Sequence, residues 1–419
     1  MKKTKAIIFI AASAILLMGC SRGGGGAVND GKLPSGGEKT DLATSEGQEL
    51  MKNRMDAVSK AYEGLDLESV SITSETSGVN VALDANVEMK DVGKISLEAG
   101  LKGFGMKEEL KAAKDGKNAK ASISAKTTGG NVSVKASLPG KEQEKTANLD
   151  ASLSLSGIEA NAYLADNNFY ADMSNKGNET FVKNAETFVN TLIDQFKETA
   201  FGSYLPYLIS NYDVDDLGDI YDVKTNHFNF VTAYNKYLPE KKIAIKGNTP
   251  FEWPTISTNE IEEETSIELD DIGEYMKQLA EMKINIEIVT YKDGAFGFSA
   301  ALDKESLKAV AKMTGSDSNE TWYNSLPDMF SNLECNVSAY FNKDNLLESV
   351  GFAYDGEAKM DKALLKTMGA DVEGLTAFDV KYSLKAKETV SIKYSNVEVK
   401  LPDFSDYKEI KMDNTPTYR

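Results

Sequence analysis

The chain has 419 residues, a formal net charge of −18 at pH 7 and a pI of about 4.7, so its surface repels nucleic acid and anionic headgroups, and neither is expected to bind the body. One histidine and two cysteines leave no disulfide framework and little material for histidine-based catalysis or zinc binding. The length suits one large domain or two ordinary ones.

Lys2, Lys3 and Lys5 precede an apolar run from Ala6 to Leu17, and small residues follow up to Cys20. That order is the order of a cleavable export signal. The run of about twelve residues is short of the roughly twenty needed to cross a bilayer. Its end, Leu17-Met18-Gly19-Cys20, resembles the lipobox of bacterial lipoproteins. The resemblance implies removal of residues 1–19, acylation of Cys20 and attachment to a membrane; two or three acyl chains exceed what stable anchoring requires, at about 0.8 kcal/mol per buried methylene. With the three signal lysines gone the net charge becomes −21. Residues 20–45 are rich in Gly and small polar side chains and read as a flexible tether. The Gly-rich run after the cysteine is similar to spacers of Gram-positive lipoproteins, so the expected location is extracytoplasmic, on the outer face of a Gram-positive cell membrane.

The first ordered element is predicted as a helix from about Glu46 to Leu65, with Met51, Met55, Val58 and Tyr62 on one side. Period-two segments follow: Val79 to Met89, Ile95 to Leu101, Ala119 to Ala125, Val132 to Leu138 and Leu149 to Leu155. They predict an antiparallel meander with one apolar face, Gly129-Gly130 serving as a joining turn. A helix from about Glu179 to Ala200 presents Phe181, Ala185, Phe188, Leu192 and Phe196 as a candidate cover. Residues 201–265 are irregular and aromatic and read as an insertion over one end of the sheet.

After a helix from about Asp270 to Met282, Ile284 to Ile288 leads through Lys292-Asp293-Gly294 into Phe296 to Ala300, a hairpin. Asp303 is placed to cap a helix carrying Leu307 and Val310. Cys335 to Phe341 and Val350 to Tyr354 form a further pair, Phe378 to Leu384 and Val390 to Val399 the last, and residues 403–419 read as a frayed tail.

Three hairpins, at Tyr163 to Tyr170, Tyr291 to Phe296 and Tyr340 to Leu346, share an aromatic, an Asp/Asn/Gly turn and an apolar return. With the order of elements, residues 46–402 resemble the LolA/LolB-like and LppX/LprG-like lipoproteins. That resemblance implies an α+β fold in which a strongly curved antiparallel sheet, a half-barrel, packs over several helices and encloses a cavity for acyl chains. Candidate ligand-contacting residues on the apolar face and covering helix are Val81, Leu83, Leu97, Ile123, Val134, Leu153, Phe188 and Leu192. The alternative is a cell-surface interaction protein, an adhesin or envelope scaffold, whose aromatics such as Tyr204, Tyr207 and Trp253 face outward.

No enzyme, cofactor or metal is expected. His227 has no G-x-S-x-G partner and reads as a packing residue. Asn211 to Asp222 imitates a calcium loop but has Asp216 where the turn glycine belongs and Asp222 in place of the final Glu, so it reads as a solvated acidic loop, as does Glu260 to Glu264. Cys335 reads as a small buried hydrophobe.

Overall fold

Alternating apolar and polar residues, broken by turn residues, give this chain strands with two unlike faces, and the strands join into one sheet. The computed structural model describes residues 31–63, 65–90, 92–115, 118–142, 145–205, 220–247, 283–314, 328–367, 369 and 372–410. Cys20, the predicted helix at 270–282, the acidic run at 260–264, Tyr207, Trp253 and most of the calcium-loop imitation lie outside the described residues.

The strands are β1 (Glu38–Asp41), β2 (Ser69–Met89), β3 (Gly93–Asp115), β4 (Asn118–Pro139), β5 (Thr146–Ser154), β6 (Glu159–Ala165), β7 (Asn168–Asp172), β8 (Tyr221–Asp222), β9 (His227–Phe228), β10 (Lys242–Ile245), β11 (Asn285–Thr290), β12 (Phe296–Asp303), β13 (Phe330–Phe341), β14 (Leu347–Asp361), β15 (Leu375–Lys393) and β16 (Lys408–Glu409). The helices are α1 (Ser45–Glu63), α2 (Lys176–Lys197), α3 (Phe230–Tyr237), α4 (Lys304–Thr314) and α5 (Lys362–Thr367). All strands but β8 and β9 form one sheet in the order β1-β11-β12-β13-β14-β15-β2-β3-β4-β6-β7-β10-β16, with β5 also on β4. Pairing is antiparallel except between β10 and β16, and the end strands do not meet. The antiparallel sheet is as expected. The helices, however, are a minor component among the described residues, so the fold is β-rich and lacks the full helical layer of the α+β expectation.

The strands β2, β3 and β4 are 21, 23 and 22 residues long, about 70 Å each at 3.3 Å per residue. Each carries one extra residue at the same level of the sheet. Pairing shifts between Thr76 and Val81 on β2, between Lys102 and Met106 on β3, and between Thr127 and Asn131 on β4. A glycine at positive φ sits at each shift: Gly78 (60°), Gly103 (63°) and Gly130 (136°). These are β-bulges, which bend and further twist the strand that carries them, so three adjacent strands are creased along one line. Gly129-Gly130 is therefore part of this bulge inside a continuous strand, where a hairpin turn was expected. The last expected pair, 378–384 and 390–399, is likewise mostly the single strand β15.

An inserted residue should turn a strand's apolar side over, since side chains alternate with a period of two. Instead the sequence changes phase at the crease. On β2 the apolar positions are even before it (Val70, Ile72) and odd after it (Val81, Leu83); β3 and β4 change phase in the same way. Strand β14, in register with β15 from Ser349 to Asp361, carries no insertion at the crease and keeps one phase from Val350 through Ala358. The apolar rungs before and after the crease thus lie on the same side of the sheet.

At the crease β4 forks. Residues 121–126 pair with β6 and residues 131–139 pair with β5. Thr127, 6 % exposed, holds the fork: its N–H donates to Ile158 O (2.9 Å) and its Oγ1 accepts from Ile158 N (3.0 Å). Helix α2 seals the open edges beside it. Gln195 Oε1 accepts from Asp150 N and Gln195 Nε2 donates to Asp150 O on β5, while Asn178 accepts from Glu159 N and donates to Glu159 O and Met173 O.

Two packed centres flank the long strands. On the apolar side α1 lays Met51 and Val58 with Leu42 on Ile288 and Phe296, and Phe296 stacks on Phe341 at 4.7 Å. Tyr62 and Tyr394 share a hydrogen bond of 2.7 Å, and Tyr394 donates to Leu347 O. On the opposite, polar side Phe404 stacks on Tyr170 at 3.7 Å, with Tyr163 and Tyr407 around it. Residues 403–410 of the tail expected to fray are held there, and β16 continues the sheet; residues 411–419 lie outside the described residues. Part of the expected 201–265 insertion also belongs to the main sheet, because β10 pairs with β7.

The segment expected to be tether as far as residue 45 contains β1 and a strap across the polar side. Gly31 lies against the backbone of Asn336 and Ala353, Leu33 covers Gly297, and Pro34 O accepts from Tyr291 Oη at 2.8 Å. The chain then forms β1 on the edge strand β11, turns around that edge and enters α1 on the apolar side.

Candidate functional site

The apolar side of the long strands is built in rungs. Beyond the crease these run Leu384, Val81, Leu101, Val132, Leu153; then Tyr382, Leu83, Ala99, Val134, Ala151; then Val380, Ala85, Leu97, Ala136, Leu149. Before it one rung runs Ile392, Ile72, Leu110, Ile123, Ala162, Ala171, Ile243. Five candidates, Val81, Leu83, Leu97, Val134 and Leu153, therefore share three successive rungs on one side. Ile123 lies on that side but across the crease. Phe188 and Leu192 are on α2, on the helical flank of Gln195, which binds β5.

Coverage is uneven. Ala112, Ala121, Leu149 and Ala151 are buried, whereas Val81, Leu83, Leu97, Val134 and Leu153 are half-buried and Ile123 is 42 % exposed. Tyr382 on the same side is 40 % exposed. The accessible apolar surface on this side is thus shared between the half-buried rungs beyond the crease and the two exposed side chains, Ile123 and Tyr382.

Polar residues interrupt that face at the crease, and the sequence reading missed them. Ser74, fully buried, stands between Val390 and Glu108 in register and donates to Glu388 Oε1 at 3.0 Å. Glu108 is in phase with Leu110, and Glu388 with Val390. Strand phase alone would have placed both carboxylates on the apolar side.

The remaining candidates lie apart from that face. His227 Nε2 is 2.8 Å from Asp194 Oδ1, and that hydrogen bond, with a second from Lys197, holds the Asp194 carboxyl below the usual range. The pair closes β9 onto α2, next to the bonds between Asn190 and the Phe228 backbone. Cys335 is half-buried, and burial pushes its thiol up from the ordinary value, which disfavours the thiolate. Tyr204 is 59 % exposed and faces outward. Among the described residues no group of three His, Cys, Asp or Glu side chains could hold a metal ion, and no helix is long and apolar enough to cross a membrane.

No family model matches the chain, and no curated protein does. Solved structures align only weakly. A β-barrel-like protein of a domain of unknown function from Brucella abortus aligns at 8 % identity over 75 % of this chain and 98 % of its own, with a TM-score of 0.11. The translocator domain of the autotransporter NalP from Neisseria meningitidis aligns at 7 % over 84 % and 98 %, with a TM-score of 0.12. The transport unit of the autotransporter AIDA-I from Escherichia coli aligns at 8 % over 83 % and 97 %, with a TM-score of 0.10. Scores this low carry no argument about fold or function.

Proposed function

We propose that the chain is an exported lipoprotein, held at a membrane through acylated Cys20, whose body binds a lipid or other elongated hydrophobic ligand along the apolar side of its creased sheet. The observation that supports this reading is the apolar face, which keeps its phase on both sides of the crease, is interrupted there by Ser74, Glu108 and Glu388, and is only half covered. A preserved phase across three inserted residues implies that the whole face is used. The bulges supply the bend that a half-barrel requires, and the signal with its lipobox-like end supplies the anchor. On this reading the protein is not an enzyme and needs no cofactor.

The test uses the chain from residue 21 onward, purified without detergent. Lipid is expected to copurify, as read by mass spectrometry, and a fluorescent fatty acid should be taken up. Ile123→Lys, at an exposed apolar position, should weaken uptake at least tenfold while leaving the circular dichroism spectrum unchanged. A protein that carries no lipid and takes up no fatty acid overturns the ligand reading. One observation supports the second reading, a surface interaction protein: Tyr204 and Tyr237 are 59 % and 60 % exposed. Capture of a cell-surface protein or glycan that is lost on Tyr204→Ala and Tyr237→Ala would favour it.

A further inference from the structure

The strap of residues 31–37 fixes where the chain enters the folded body, and this limits how the body can sit on a bilayer. Gly31 rests on the polar side between β13 and β14, where a Cβ on it would stand 2.6 Å from Asn336 O and 2.9 Å from Ala353 N. Asn336 and Ala353 are paired with each other, and Ala353 is paired with Lys387, beside the shift at Lys385/Lys387 that marks the crease. The entry point is therefore central on the polar side, away from both ends of the long strands.

Resting on the anchored-lipoprotein reading, we infer that the polar side of β13 and β14 is turned toward the bilayer that holds Cys20, and that the apolar side is turned away from it. The argument is one of covalent reach. From Cys20 to Gly31 there are eleven residue steps, and whatever conformation they adopt they span at most about 40 Å. With the polar side down, the entry point faces the membrane and most of that length is slack. With the apolar side down, the chain must cross roughly three and a half strand spacings to the β1 edge, about 17 Å. It must then pass the thickness of the sheet and of α1, about 20 Å more. That path consumes nearly the whole reach and forces an almost fully extended chain, the arrangement of least conformational entropy. One consequence is that a ligand on the apolar face is exchanged with a donor or acceptor on the side away from the anchoring bilayer.

Energy transfer on vesicles tests this. In a Cys335→Ser background, Glu334 or Lys52 is replaced by p-azidophenylalanine and coupled to a donor dye; both residues are exposed, Glu334 on the polar side near Gly31 and Lys52 on α1 on the apolar side. The full-length protein is acylated in cells, purified and reconstituted with acceptor-labelled lipid. The donor at 334 should transfer several-fold more efficiently than the donor at 52, and twenty Gly-Ser residues inserted between Gly26 and Ala27 should abolish the difference. Equal transfer with the natural linker, or stronger transfer from position 52, overturns the inference. Intact mass of the membrane-extracted protein separates this failure from failure of the anchor. If Cys20 carries no acyl group the anchored reading falls, and the same proteins coupled at Cys20 to a maleimide lipid still answer the geometric question.

Discussion

Gly103→Ala measures what the crease demands of the backbone. Gly103 has φ of 63°, and a Cβ built on it meets nothing within 4 Å, so the substitution adds no steric overlap with neighbours and isolates the backbone cost. An L-residue in the left-handed region costs roughly 1–2 kcal/mol, part of which Ala recovers by restricting the unfolded chain, about 0.4–1 kcal/mol. The net expectation is a loss of about 1 kcal/mol, roughly a fivefold change in the folding equilibrium. Gly78→Ala, at φ 60° with the same open surroundings, should behave alike. Gly130→Ala should cost more, because φ of 136° lies outside the left-handed well and its Cβ would stand 3.1 Å from Phe104 and 3.3 Å from Leu155. Asn tolerates the left-handed region, so Gly103→Asn should recover much of the loss. Urea unfolding followed by circular dichroism, read as displacement of the midpoint at constant slope, reports all four. If Gly103→Ala and Gly78→Ala are neutral, or Gly103→Asn is no better than Ala, the crease does not depend on left-handed residues and the reasoning fails.

Other expectations follow from single contacts. Thr127→Val keeps the shape but leaves Ile158 N without its acceptor at the fork, and should cost about 1–3 kcal/mol, with faster amide exchange at Ile158 as the local readout. Asn178→Ala removes three bonds to backbone at a site 8 % exposed; a loss of about 2–3 kcal/mol and earlier proteolysis within α2 are expected, with unchanged cleavage contradicting its sealing role. Asp303 accepts from Ser306 N at 2.9 Å, and that bond holds its carboxyl below the usual range. A depressed folded-state pKa means its contribution is present above the ordinary carboxylate value near 4 and is lost as pH falls through the lower folded value. Asp303→Asn, which keeps a capping oxygen, should therefore lessen the acid sensitivity of α4 at little cost near pH 7, and an unchanged acid profile would count against the assignment. Cys335 should react slowly with maleimide at pH 7, since its thiol is pushed up by burial; rapid labelling of the folded protein would refute this.

Local pattern made much of the fold legible. The 3.6-residue spacing of Met51, Met55, Val58 and Tyr62 located α1, and the Asp-Gly and Asn-rich turns located the β6–β7, β11–β12 and β13–β14 hairpins, where Asp166, Asn167 and Asn345 take positive φ and Asp293-Gly294 turns through Gly294. Both signals depend on a few neighbouring residues. The crease was written in the sequence as a change of phase at Gly78, Gly103 and Gly130, but a glycine between two alternating segments is equally a turn or a bulge. Only the pairing of β2, β3 and β4 over their full length distinguishes them. The fate of β10 and β16 was illegible for a related reason: strands of 4 and 2 residues carry too little periodicity to be read, and they form on edges offered in turn by β7 to β10 and by β10 to β16.

For the candidate site, alternation by itself determined which residues share a side, because a strand's side-chain period is two regardless of context. Val81, Leu83, Leu97, Val134 and Leu153 could be grouped on that ground alone, and the proposal of an N-terminal export signal rests wholly on the order of charge, apolar run and cysteine. How much of the face is covered, that Ile123 stays accessible, that Ser74 is buried at the crease and bonded to Glu388, and that the chain enters the body from the polar side at Gly31 were decided by tertiary structure. Each depends on which distant segment packs where, through contacts between residues as far apart as Gly31 and Asn336 that carry no local signature.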